Sequence, residues 1–132
     1  MLVGFPSCEI FSMTENKKAL QAYSKEIANK ALLEARNTQK AISYLLMEHA
    51  SEHRSWDYGI NDLLCEYYAS IKYFITLLVE ITSLGSVYDE DRDEEVYEIP
   101  LKYYVLMKTY TKLMMKCEQE LKYGYGISTM IH

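Results

Sequence analysis

The stretch between Ile60 and Ile81 limits the possible folds more than any other part of the chain. Apolar side chains recur there at alternating intervals of four and three residues, a heptad pattern that places them along one side of an α-helix. These positions are Ile60, Leu64, Tyr67, Ile71, Phe74, Leu78 and Ile81, and the side is widened by Leu63, Tyr68, Ile75 and Leu77. We therefore predict a central helix over residues 57–84, covered by neighbouring helices on more than one side.

A first helix is predicted over residues 13–54, ahead of the central one. Ser12-Met13-Thr14-Glu15 fits a capping box, and from there to His53 no Gly or Pro occurs. Small or apolar residues recur at helical spacing at Leu20, Tyr23, Ile27, Ala31, Ala35, Ile42 and Leu45. The polar residues around Asn37 mark a place where this helix could break in two.

A third helix is predicted over residues 100–123, since Pro100 suits a first turn and Gly124 can end the helix. Its predicted apolar face consists of Tyr103, Leu106, Tyr110, Leu113, Cys117 and Leu121. The expected fold class is therefore all-α, a single-domain antiparallel bundle of three long helices, or four if the first helix breaks. An N-terminal arm (1–12), an acidic loop (86–98) and a tail (124–132) complete the predicted organisation.

Composition and charge exclude several classes of protein. A chain of 132 residues is long enough to bury one core, and its net charge of −5 argues against a general nucleic-acid binder. No apolar run has the length of a membrane span. Cys8, Cys65 and Cys117 form no C-x-x-C pair, so we expect reduced thiols and a cytoplasmic location. No Gly-rich phosphate loop is present, and we expect no cofactor.

The acidity is concentrated in residues 89–98, where seven acids and one Arg give a local charge of −6. The segment does not match a calcium-binding loop, because Glu94 and Pro100 occupy the positions that require Gly and a carboxylate. Either it is a solvated loop, it folds back on Lys108, Lys112 and Lys116, or it binds a basic partner. For the last case the predicted contact residues are Asp89, Glu90, Asp91, Asp93, Glu94 and Glu95.

Residues 49–53 read His-Ala-Ser-Glu-His, which is the spelling of an inverted zinc-peptidase motif. Two His at i and i+4 share one helix face and can bind a metal ion, and Glu52 lies close enough to polarise water. Such peptidases are far larger and need a third, carboxylate ligand from a helix well downstream. A pair of His near a helix end is therefore the simpler interpretation. A metal-dependent bundle enzyme using His49, Glu52 and His53 is kept as the alternative function.

Residues 102–112 interleave Tyr with Lys, as some nucleic-acid-binding surfaces do. Since Tyr103 and Tyr110 fall on the predicted apolar face, packing explains them first. Nucleic-acid association is the second alternative function.

The function expected from these features is non-enzymatic. No catalytic constellation accompanies the helical body, and one acidic segment is available for contact with a protein partner that has a basic surface. A regulatory protein, such as a small inhibitor or accessory protein of a virus or mobile element, fits this description. The wide apolar side of the central helix also predicts a homo-oligomer, most simply a dimer.

Overall fold

The computed structural model describes residues 20–51 and 58–127, which form three long helices and a small sheet. In chain order the elements are β1 (Leu20–Ser24), α1 (Lys25–Ser51), α2 (Tyr58–Ser83), β2 (Val87–Asp89), β3 (Glu94–Pro100) and α3 (Leu101–Gln119). A π-helical turn, Glu120–Gly124, follows α3. The chain is thus mostly helical, as expected, but the three strands are a feature that the sequence analysis did not predict.

Helix α2 lies between the other two helices. Its predicted apolar side is buried, since Leu64, Tyr67, Ile71, Phe74, Leu78 and Ile81 are all 0% exposed and Ile60 packs partly buried against them. Both α1 and α3 pack on α2 but have hardly any contact with each other. The helix ends before Gly85, whose φ of 86° is the left-handed conformation that favours glycine at this position.

The predicted first helix is wrong at its start, because Leu20–Ser24 form a strand and the helix begins at Lys25. Tyr23 accounts for this, since its ring is 1% exposed and lies 6.2 Å from that of Tyr97 across the sheet. The Ser24 hydroxyl accepts a hydrogen bond from the Ile27 N–H at 3.4 Å and so caps the helix. The capping box at residues 12–15 lies outside the described residues.

The break considered near Asn37 does not occur, because α1 is continuous from Lys25 to Ser51. Asn37 lies on the exposed side of this helix. The next residue, Thr38, donates its hydroxyl hydrogen to the Glu34 carbonyl at 3.0 Å and is thereby accommodated within the helix.

The predicted acidic loop is also wrong, because residues 87–100 form a β-hairpin. The sheet is antiparallel in the order β1–β3–β2, with Tyr23 opposite Tyr97 and Val87 opposite Val96. Charge led to the loop prediction, yet Val96, Tyr97 and Ile99 favour a strand and are buried. The burial of these three side chains outweighs the cost of bringing the acids into a sheet.

The predicted apolar face of the third helix is correct at Cys117 and Leu121, but its earlier part is displaced by about one position. Leu106 is 40% exposed, whereas the residues buried on α3 and the π-helical turn are Met107, Thr111, Met114, Cys117, Glu118 and Leu121. Tyr110 lies at the border of the buried face, where its ring stacks on that of Tyr73 of α2 at 5.5 Å. The helix therefore packs through its methionines more than through its tyrosines.

The sheet is directly joined to three helix ends. Strand β1 runs into the start of α1, β3 runs into the start of α3, and β2 follows the end of α2. Strand β3 contacts all three helices, and the buried Tyr97 and Ile99 belong to the same core as the helices. None of the helices in the described ranges is apolar enough over a sufficient length to cross a lipid bilayer.

Truncation of Leu78 to Ala is expected to lower the free energy of unfolding by about 2–5 kcal/mol, because it removes fully buried methyl groups and leaves a cavity. The neighbouring Val79 is 41% exposed, so Val79→Ala is expected to cost less than about 0.5 kcal/mol. Urea unfolding followed by circular dichroism measures both values. Equal losses in the two variants would contradict the placement of α2.

Candidate functional site

The structure brings the predicted partner-binding residues together on one hairpin. Asp89 is the last residue of β2, the residues 90–93 form the turn, and Glu94 begins β3. The chain reverses at Asp93, whose φ of 51° is a left-handed conformation that Asp tolerates better than most residues. The six acids therefore share one end of a hairpin, but their local contacts differ.

Asp89 and Asp93 build the turn itself. One carboxylate oxygen of Asp89, Oδ1, accepts hydrogen bonds from the backbone N–H groups of Asp91 at 3.0 Å and Arg92 at 3.4 Å. The Asp93 carboxylate accepts a hydrogen bond from the Tyr88 hydroxyl, and this bond raises the pKa of Tyr88. Both carboxylates are thus used locally to hold the turn in shape.

Glu95 and Arg92 tie the hairpin to the rest of the molecule, and Glu94 pairs with Arg92. The Lys25 ammonium at the start of α1 lies 3.2 Å from Glu95 Oε2, and Arg92 Nη2 lies 3.8 Å from Glu94 Oε1. Arg92 also donates from Nη1 to the Ala22 carbonyl of β1 at 3.3 Å. Pairs this exposed contribute at most about 1 kcal/mol each, so their main effect is to neutralise charge and orient the hairpin.

Glu90 and Asp91 are the two predicted residues whose carboxylates are not used within the hairpin. Both are exposed at the tip of the turn, and within residues 20–51 and 58–127 neither carboxylate accepts a hydrogen bond or forms an ion pair. The hydrogen bonds of Asp89 and Asp93 hold the turn on both sides of these two residues. The structured turn therefore presents two carboxylates that hold no internal contact, and a cation of a partner can approach them without displacing one.

An open cleft of about 450 Å³ lies beside the hairpin, between β3 and the first turn of α1. Its lining includes the carboxylates of Glu26, Glu94 and Glu95 and the side chain of Asn29, with Lys25 as the cation. Sequence reasoning missed Glu26 and Asn29, because they come close to the acidic segment only through the pairing of β1 with β3. The cleft extends the negative surface from the turn towards α1.

The lysines of the third helix are not partners of the acidic segment. Lys112 and Lys116 are exposed and Lys108 is half-buried, and in the described part of the chain none of them forms an ion pair with the hairpin. Lys102 instead lies over the ring of Tyr103, with its ammonium 5.0 Å from the ring centre. The nucleic-acid hypothesis for this helix stays a prediction.

The candidate metal residues mostly lie outside the described residues. His49 belongs to the last part of α1, while Glu52 and His53 follow the end of that helix and are not described. Within the described ranges, no three His, Cys, Asp or Glu side chains are grouped so that they could hold a metal ion. The metal hypothesis for residues 49–53 therefore stays a prediction.

Sequence reasoning missed a buried polar pair between α2 and α3. The Tyr67 hydroxyl donates to Glu118 Oε2 at 2.8 Å, and Tyr67 and Glu118 are 0% and 3% exposed. Burial raises the pKa of Glu118, an effect that the Tyr67 hydrogen bond and the Lys122 charge only partly oppose. The sequence does contain a signal for this pair. Glu118 lies three residues before Leu121 and four after Met114, which places it on the same buried helix face.

Cys117 lies next to this pair in the sequence and is also buried. Burial, with a smaller effect of the Glu66 and Glu120 charges, raises the pKa of the Cys117 thiol to about 11. A thiol with that pKa is protonated at neutral pH and is a poor nucleophile. Cys117 therefore acts as a packing residue, in agreement with its place on the apolar face.

Comparison of the chain with family models, with curated proteins and with solved structures finds no match.

The raised pKa of Glu118 makes stability depend on pH. The folded protein holds the Glu118 proton more tightly than the unfolded chain, so the free energy of unfolding falls as the pH rises above 4.5, the ordinary pKa of this group. The Glu118→Gln variant keeps an acceptor for Tyr67 but cannot ionise. We expect its stability relative to the original protein to increase from acidic to neutral pH, as measured by urea unfolding at several pH values.

The Glu120→Gln variant is the control for this experiment, since Glu120 is an exposed carboxylate two residues further along. If the difference between Glu118→Gln and the original protein is the same at every pH, then Glu118 does not titrate from a buried position. The assignment of the pair would then be wrong.

Proposed function

We propose that this protein is a non-enzymatic binding or regulatory protein that acts by contact with a partner carrying a basic surface, and that the acidic hairpin is the contact site. The observation that supports this best is the separation of roles among the six acids. Asp89, Asp93, Glu94 and Glu95 are used in the turn or in ion pairs, and Glu90 and Asp91 are left exposed at the tip. This arrangement suits a surface that attracts cations and keeps its shape.

We also infer that the three helices run antiparallel. Two contacts between α2 and α3 support this, because Tyr67 meets Glu118 and, further along α2, Tyr73 meets the earlier Tyr110. The sheet is joined to the start of α1, the end of α2 and the start of α3, which antiparallel order places at one end of the helical layer. The hairpin then projects from that end, where a partner can reach its tip.

The proposal includes self-association through another surface. Leu33, Tyr44 and Met47 are separated by eleven and three residues, a spacing that puts them on one side of α1. Their side chains are 61%, 57% and 66% exposed and have no cover within the described residues, although the exposed Arg36 and Lys40 lie between Leu33 and Tyr44 on the same side. Apolar exposure of this kind is typical of a surface that packs on another protein, and a two-fold dimer through α1 is the simplest case.

Reversal of the two tip charges, Glu90→Lys with Asp91→Lys, is expected to abolish capture of the basic partner, because it replaces attraction with repulsion where no internal contact is lost. The measurement is affinity capture from native lysate of the source cells, with the bound proteins identified by mass spectrometry. Capture should also weaken as ionic strength rises.

The matched control is Glu66→Lys with Glu120→Lys, two exposed acids outside the hairpin. Each reversal adds two charges, so both double variants carry −1 instead of −5. Partner capture that survives reversal of the tip, or that is lost equally in the control, would show that the tip is not the contact site.

A further inference from the structure

The outer edge of β2 is available for pairing with another strand. In the sheet order β1–β3–β2, Val87–Asp89 pair with β3 on one side and with no other strand among the described residues. In an antiparallel pair, successive residues direct their backbone N–H and C=O groups to opposite sides. At every second residue of β2 both groups therefore face away from β3, where an added strand can bind them.

The side chains along this edge suit an extended protein segment. Val87 and Tyr88 are 46% and 58% exposed, and Leu84, just before the strand, is 61% exposed. Valine and tyrosine pack well against cross-strand neighbours, so these exposed groups can contribute apolar contact as well as the backbone hydrogen bonds. An extended segment laid along β2 would cover them.

Charge determines which segment fits. Glu90 and Asp91 follow β2 directly, so one end of an added strand lies beside two exposed carboxylates. Antiparallel pairing with β2 of a second copy offers no cation for them, because the residues before that strand are Ser83, Leu84, Gly85 and Ser86. A segment with Lys or Arg at that end meets the carboxylates with opposite charge, and like-charged segments are repelled.

We propose that β2 binds an extended segment of a partner protein by adding it as a fourth strand, with the basic end of that segment beside Glu90 and Asp91. This inference rests on the proposed function and specifies the form of the partner. The backbone of β2 supplies the hydrogen bonds, Val87 and Tyr88 supply the apolar contact, and the tip selects for positive charge.

The test uses the intact protein and a short synthetic peptide in which alternating Val and Thr lead into a lysine-rich end. Two modified peptides carry N-methyl groups on alternate backbone amides, one on the first set and the other on the second set. In an added strand only one set faces β2, so methylation of that set removes its hydrogen bonds and blocks approach. We expect binding to weaken at least about tenfold for one modified peptide and to change little for the other, as measured by calorimetric titration.

Further measurements test the contribution of charge separately from that of strand pairing. A peptide with glutamates in place of the lysines is expected not to bind, and Glu90→Lys with Asp91→Lys is expected to prevent binding of the lysine-rich peptide. If the two methylated peptides bind equally well but reversal of the tip prevents binding, strand addition is wrong and the acidic contact site stands.

Three other results would also overturn strand addition. The first is that the lysine-rich peptide binds equally well after reversal of the tip charges. This result counts against the acidic contact site as well. Absence of peptide binding overturns strand addition alone, since capture of the native partner tests the contact site separately. The third is dimerisation of the unliganded protein that is lost in Tyr88→Lys, as measured by sedimentation equilibrium, since it would assign the edge to a second copy.

Discussion

Burial of the apolar side of α2 is the interaction on which the rest of the structure depends. Six residues of this helix, from Leu64 to Ile81, are completely removed from solvent, and both other helices pack on it while hardly contacting each other. Each fully buried large side chain contributes about 1.5–3 kcal/mol of hydrophobic free energy. Without α2, α1 and α3 would share only their contacts with β1 and β3, and most of the buried core would be lost.

The sheet connects this core to the acidic hairpin. Tyr97 and Ile99 of β3 belong to the core, while Glu95 and Glu98 of the same strand are exposed. Strand β3 is thus fixed by the apolar packing of one face on the core and by its pairing with β1. The acidic turn that precedes it is consequently held in place, although its own contacts are exposed and individually weak. A fixed turn loses less entropy when a partner binds than a mobile loop would.

The sequence predicted the central helix well and the sheet not at all, for physical reasons. The heptad of α2 is a strong periodic signal, and the structure has this helix within one residue of the predicted bounds at each end. Strand β1 has helix-forming neighbours, and only its pairing with β3, at a separation of more than seventy residues, makes it extended. In the hairpin, the acids obscured the short group of strand-forming residues Val96, Tyr97 and Ile99. The six acids were predicted as one group, but which of them stay free depends on Lys25 and Arg92, whose positions follow from the tertiary fold.

Amide hydrogen exchange across residues 86–100 tests the central claim most directly, because a loop and a packed hairpin differ most in backbone protection. A hairpin on the core predicts slow exchange at alternate amides of β3 between Val96 and Ile99, with fast exchange at Glu90 in the tip. Exchange at the rate of an unstructured chain over the whole segment would contradict the account, because the acids would then belong to a mobile loop without a defined surface.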